Sequence, residues 1–141
     1  MSTTITTCEI VSHEEFMNHY GFILGSHLTL LFNQLMRDTI DEYDGDSHPE
    51  NLEYLRSANG LYWVRWNGAR GHDQRYRWHS PNGHSGIMTA EAVSLACFSC
   101  AANWIAWTRS EYRNVCSDIY LASLPVVHTH PEAGQILLCN D

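Results

Sequence analysis

Between residues 28 and 43 the apolar side chains of Leu28, Leu31, Phe32, Leu35, Met36, Ile40 and Tyr43 recur at steps of three and four. That spacing puts them on one face of a helix, which Ser26 would cap and which stops near Gly45. Upstream, Ser12 followed by Glu15 has the form of a capping box, in which hydroxyl and carboxylate each satisfy a free backbone N–H. It predicts a short helix over 13–20, ended by Gly21. Residues 1–11, rich in Thr, read as a flexible, extended N-terminus.

The pattern then changes. "LEYLR", "LYWVRW" and "QRYRWH" are aromatic and alternate in places, and they are separated by Ala58-Asn59-Gly60 and by "NGARGHD". Asn-Gly pairs supply the positive φ of tight hairpins, so two or three antiparallel strands are expected, with "SPNGHSG" (80–86) as a loop. Thr89 reads as the N-cap of a long helix with Glu91 in its first turn. Its run "AEAVSLACFSCAANWIAW" is dense in small residues, as suits a helix buried on most sides. A further helix over about 110–124 is expected to stop at Pro125. Pro131 fits the first position of a last helix, "PEAGQILL". The order predicts an α+β fold: a small antiparallel sheet of two to three strands against about five helices, in one domain over 12–141.

Composition narrows the functional classes. A chain of 141 residues buries roughly 68–70% of its unfolded surface, enough for a core without staples. No apolar run reaches the length of a membrane span and the N-terminus lacks the pattern of a secretion signal, so a cytoplasmic protein is expected. The five cysteines (Cys8, Cys97, Cys100, Cys116, Cys139) are odd in number and irregularly spaced, which favours free thiols. The net charge of -8 opposes general nucleic-acid binding. All eight basic residues are arginine, a side chain that pairs bidentately with carboxylates and stacks on aromatic rings.

Catalytic and metal chemistry find little support. Cys97 and Cys100 form one C-x-x-C, but zinc wants four ligands, and a redox pair belongs at a helix N-terminus rather than mid-helix. His72, His79, His84, His128 and His130 lack a carboxylate or cysteine at diagnostic spacing. There is no nucleophile elbow, and a phosphate loop of the Gly-Lys type is impossible without lysine. No catalytic residue, metal or cofactor is expected.

Two stretches fit binding instead. "WVRWNGARGHDQRYRW" (63–78) carries Arg65, Arg70, Arg75 and Arg77 among Trp66, Trp78 and other aromatics. Such a hairpin either grips a nucleic acid or an acidic effector complex, or pairs with the protein's own acids. "RDTIDEYDGDSHPENLE" (37–53) holds Asp38, Asp41, Glu42, Asp44, Asp46, Glu50 and Glu53, seven of the sixteen acids. If helical, 38–44 span roughly 10 Å with four carboxylates, where duplex DNA would carry about six charges. A full turn of duplex carries roughly 20 charges over about 34 Å, more than the chain's sixteen acids offset by eight arginines. The run is therefore either a solvated helix end or one local partner-facing patch.

"RDTIDEYDG" with the following "LEYLRSANGLYWV", then "MTAEAVSLACFSCAANWIAW", then "HPEAGQILLCND" resemble, in that order, the ArdB/KlcA antirestriction family of plasmids, phages and integrated elements. The likeness covers roughly 12–141, with "DSHPEN" as an insertion. It implies a non-enzymatic α+β domain, acting without cofactor, that protects incoming DNA from type I restriction. The expected partner is a host restriction enzyme or a related DNA-handling complex in the bacterial cytoplasm, rather than DNA or a membrane. On that reading the contact surface is the acidic run, Asp38 to Glu53. Asp141 joins it, because the resembling ending also places an acid there.

Overall fold

A buried helix of small residues organises the molecule. The structure, a computed structural model, describes residues 8–68 and 70–141. Strand β1 (Cys8–Val11), helix α1 (His13–Tyr20) and helix α2 (Phe22–Thr39) lead into strands β2 (Leu52–Ser57) and β3 (Tyr62–Trp66). A second pair, β4 (Arg75–His79) and β5 (Ser85–Thr89), precedes the central helix α3 (Ala90–Thr108). Helices α4 (Arg113–Thr129) and α5 (Ala133–Cys139) complete the chain. The class is α+β, with five α-helices but two small antiparallel sheets among the described residues, ordered β1-β2-β3 and β4-β5.

Local signals set several boundaries. Ser12 caps α1, its hydroxyl accepting from the Glu15 N–H at 3.0 Å. Thr89 caps α3 in the same way through the Ala92 N–H, at 3.2 Å. Gly60, at φ 91°, closes the β2–β3 hairpin, in which Tyr54 faces Val64 and Leu55 faces Trp63.

Elsewhere tertiary packing overrode the local pattern. Helix α2 starts right after Gly21, whose φ of 86° turns the chain sharply, so Ser26 lies inside the helix and not at its cap. It ends at Ile40 rather than near Gly45, because Ile40 is extended at φ -125°. Ile40 and Tyr43 still reach the core, from a turn instead of a helix. Cys8–Val11, expected to be loose, pairs with β2 (Cys8 with Ser57, Val11 with Tyr54); residues 1–7 lie outside the described residues. The loop expected over 80–86 ends early, since Ser85 and Gly86 open β5. Only Met88 of that strand is buried, so no apolar alternation marks it. Pro125 sits inside α4 instead of ending it. An internal proline costs about 3 kcal/mol. Val126 and Val127, both buried beyond it, return roughly 1.5–3 kcal/mol each. Pro131 precedes α5 by two residues, with Glu132 as the cap position.

Helix α3 packs on α2, α4, α5 and β3. Its alanines let these neighbours approach, and Val93, Leu95 and Phe98 fill the space between. No described helix is long and apolar enough to cross a membrane.

Candidate functional site

The acidic run divides into groups with different work. Asp44 is half-buried and accepts the Trp66 indole N–H at 3.0 Å. Asp46 pairs with Arg37, and Glu53 takes Arg65 at 2.6 Å. Asp44 thus ties the turn after α2 to β3, Asp46 ties that turn back to α2, and Glu53 joins β2 to β3. Glu50 meets His48 at 3.2 Å on the exposed single turn Pro49–Asn51, which is where "DSHPEN" emerges.

Asp38, Asp41 and Glu42 face solvent at the end of α2. Asp38 accepts only a neutral bond, from Gln34 at 3.1 Å. The Asp41 side chain is 91% exposed, with His79 at 4.0 Å. Glu42 makes no hydrogen bond or ion pair among the described residues. Asp141, distant in sequence, meets His84 at 3.1 Å. His79 ends β4 and His84 precedes β5, so Asp41 and Asp141 border the same hairpin turn from two sides. The surface is thus Asp38, Asp41, Glu42 and Asp141, with two histidines between its halves.

The Arg–aromatic stretch 63–78 is not a hairpin, because β3 pairs with β2 and β4 with β5 in separate sheets, and it is not an open gripping surface. Every residue of β3 is buried. Trp66 is 1% exposed and Trp78 0%, so neither can stack on a base. Trp66 packs between the rings of Tyr43 and Tyr76, at 5.1 and 4.8 Å. Arg65 is 10% exposed and lies between Glu53 and Glu91, at 2.6 and 2.9 Å. Arg70, Arg75 and Arg77 do face solvent, with Arg75 at 4.0 Å from Glu132. Aromatic alternation misleads here because β3, although the edge strand of its sheet, is buried along its whole length with α3 and α1 packed against it.

A polar junction went unforeseen from sequence. Glu91 of α3 meets Arg65 and also His130, whose Nε2 lies 3.0 Å from Glu91 Oε1. The Glu132 N–H donates to His130 Nδ1 at 3.0 Å. By that bond pattern Nε2 carries the ring proton and donates to Glu91. Glu132 in turn accepts from the Thr89 N–H and hydroxyl, at 2.9 and 2.5 Å. Burial pushes the Glu91 carboxyl up, but the bonds from His130 and Arg65 overcome it and hold the group below its usual range. Glu53 shows the same balance, with Arg65 and Asn67 outweighing burial. "MTAEAV" and "HPEAG", two stretches that carried the resemblance, therefore meet in one latch. The signal was that both put acids beside cap or turn residues. The partner Arg65 was not readable from spacing.

The thiols are quiet. Burial pushes the Cys97 thiol well above its usual range, raises Cys100 and lifts Cys139 to about 12. Among the described residues no disulfide joins the cysteines, and the Cys8 sulfur lies 3.3 Å from the Ser57 hydroxyl. Among the described residues no three His, Cys, Asp or Glu side chains stand close enough to share a metal ion.

Fold and surface together define a small acidic α+β domain with exposed carboxylates at the end of α2 and with the tryptophans of 63–78 inside. This fold is shared with a solved structure. It is that of the KlcA and ArdB proteins, described as a novel fold with antirestriction activity against Type I DNA restriction systems in vivo but not in vitro. The two share 19% identity, cover 100% of each other's chains and superpose with a TM-score of 0.77. No known family profile and no curated relative matches the sequence. The likeness read from the motif stretches thus extends to the whole fold.

Proposed function

We propose that this protein is an antirestriction protein: a non-enzymatic inhibitor that protects phage or plasmid DNA from type I restriction, or a related defence, by binding a host complex. The observation that carries this is the full-length match to the KlcA and ArdB fold. The carboxylate patch supports it, because it meets the electrostatic requirement of a contact with a DNA-handling protein. Asp38, Asp41, Glu42 and Asp141 are its contact residues. Asp44, Asp46 and Glu53 shape it from behind, and Glu50 extends it on the inserted turn. The mechanism is stoichiometric occupation of a basic surface that otherwise holds DNA. The KlcA and ArdB proteins act in vivo but not in vitro, which favours a target that includes a host component besides the restriction enzyme.

Plating of unmodified phage on a restricting host tests the proposal. Cells making the protein should regain plaques. The combined Asp38→Asn, Asp41→Asn, Glu42→Gln, Asp141→Asn variant should lose that protection while remaining folded. Full protection by this variant would sink the patch, and loss of protection on replacing Arg70, Arg75 and Arg77 would move the contact to the β4 side. No protection by the unaltered protein in any restricting host would end the antirestriction reading itself.

A further inference from the structure

Five tryptophans are treated in two ways by this fold. Trp63, Trp66 and Trp78 are almost wholly buried. Trp104 and Trp107, one helical turn apart on α3, are 57% and 78% exposed. Leaving large side chains in water forgoes the free energy of burying them, and the i, i+3 spacing puts both on one face. Leu30 of α2 and Leu121 of α4 flank them, also exposed.

The two rings form a ridge between two grooves. Between α3 and α4 lies a cavity of about 410 Å³, walled by Ala106, Trp107, Tyr120 and Leu121, with Arg113 at its rim. Between α2 and α3 lies another of about 300 Å³, walled by Leu30, Leu31, Trp104 and Ile105, with Arg109 and His27 at its rim. No Asp or Glu lines either groove, in a chain with twice as many acids as bases. Arg109 lies at the 4.0 Å limit of pairing with Glu111, and Arg113 makes no ion pair among the described residues. The face is thus apolar with a basic rim, in a chain whose net charge is -8.

We propose that the Trp104–Trp107 face docks an acidic, amphipathic segment of a partner protein. The segment's apolar anchors enter the α3–α4 groove beside Trp107, and its carboxylates meet Arg113 and Arg109. The grooves between helices suit the helix-in-groove mode, in which anchors recur at i, i+3 or i+4 and i+7. Tryptophan and arginine are the side chains that most often dominate such contacts. A nucleic acid does not fit, because holding a polyanion takes many cations and this rim has two arginines. A second copy fits poorly as well, since each copy would bring the same basic rim to the contact. The proposal uses none of the carboxylate-patch residues; the patch begins one turn beyond Gln34, which lines the α2–α3 groove and donates to Asp38 at 3.1 Å.

Fluorescence anisotropy on the full chain tests it at low salt. The probes are labelled amphipathic peptides of about 18 residues, five helical turns, with identical Leu and Phe anchors. Their polar positions are all Glu, all Gln or all Lys, and an oligothymidine of similar length is the fourth probe. The Glu peptide should bind best and the Lys peptide worst. Trp107→Ala should weaken the Glu peptide by about tenfold or more, and Arg113→Glu should invert the order of Glu and Lys peptides. Both residues are exposed, so the variants keep the fold. Absence of a Glu preference, indifference to both substitutions, or preferential capture of the oligothymidine overturns the proposal. So does a dimer in sedimentation that Trp107→Ala dissociates, because the face is then covered by a second copy.

Discussion

Asp41 and Asp44 stand three residues apart and carry the same group, yet their surroundings separate them. Asp41 meets water and a distant imidazole, whereas Asp44 terminates a hydrogen bond from a buried indole. Asp44→Ala should therefore destabilise the fold by about 1–3 kcal/mol, the cost of an unsatisfied buried donor. Asp41→Asn should stay within about 0.5 kcal/mol. Urea unfolding of the two variants checks the contrast, and equal losses would mean that the Trp66 bond is not structural. Glu91 gives a pH signature. Its carboxyl, like that of Glu53, is held below the usual carboxylate range in the folded state. The stability it contributes is thus fully present above the unfolded value, about 4.3, and is lost as pH falls through the lower folded value. Glu91→Gln should be less stable at pH 7 and should lose less further stability on acidification below about pH 4. Urea midpoints measured across that range read both halves. None of these pairings was legible in sequence. A carboxylate's neighbours are set by which strand passes behind it, and Arg65 lies 26 residues from Glu91.

Elements show where local chemistry is enough and where it is not. The starts of α1 and α3 were readable because a cap hydroxyl and the N–H it serves are three residues apart. The end of α4 was not, since Val126 and Val127 draw the helix past Pro125 through contacts that the local run does not contain. Strand β5 was unreadable for the converse reason. It has one buried side chain, and it exists because β4 offers it a partner, Trp78 opposite Gly86. The end of α2 carries a further consequence. Asp38 lies in its last turn, where a negative charge opposes the macrodipole by about 0.3–1 kcal/mol, and Asp41 and Glu42 follow with no arginine paired to them, only the His79 imidazole at 4.0 Å from Asp41. Neutralising the three together should raise the melting temperature even as protection in the plating assay disappears, the trade expected when charge is kept for binding rather than stability. A drop in melting temperature would mean that these acids serve the fold.

For the molecule as a whole, fold class and element order were legible, because periodicity and cap residues recur along the entire chain. The distribution of function over the surface was not. Aromatic content pointed to residues 63–78, but β3 is covered by α3 and takes its tryptophans inside, while the exposed pair belongs to a helix that reads as buried on most sides. Net charge acts at this scale too. With a charge of -8, self-repulsion opposes compaction, and screening relieves it within a Debye length of about 10 Å at 0.1 M salt. Urea midpoints should rise between low salt and 0.1 M, and rise less in the patch-neutralised variant; an equal rise in both would place the repulsion elsewhere. The division of the tryptophans has an optical consequence. Native emission must be the sum of two populations. Three indoles are shielded, blue-emitting and out of reach of iodide. Two are wetted, red-emitting and open to it. Loss of the core shifts only the first, and an occupant on α3 protects only the second, so one spectrum distinguishes an unfolded molecule from an occupied one.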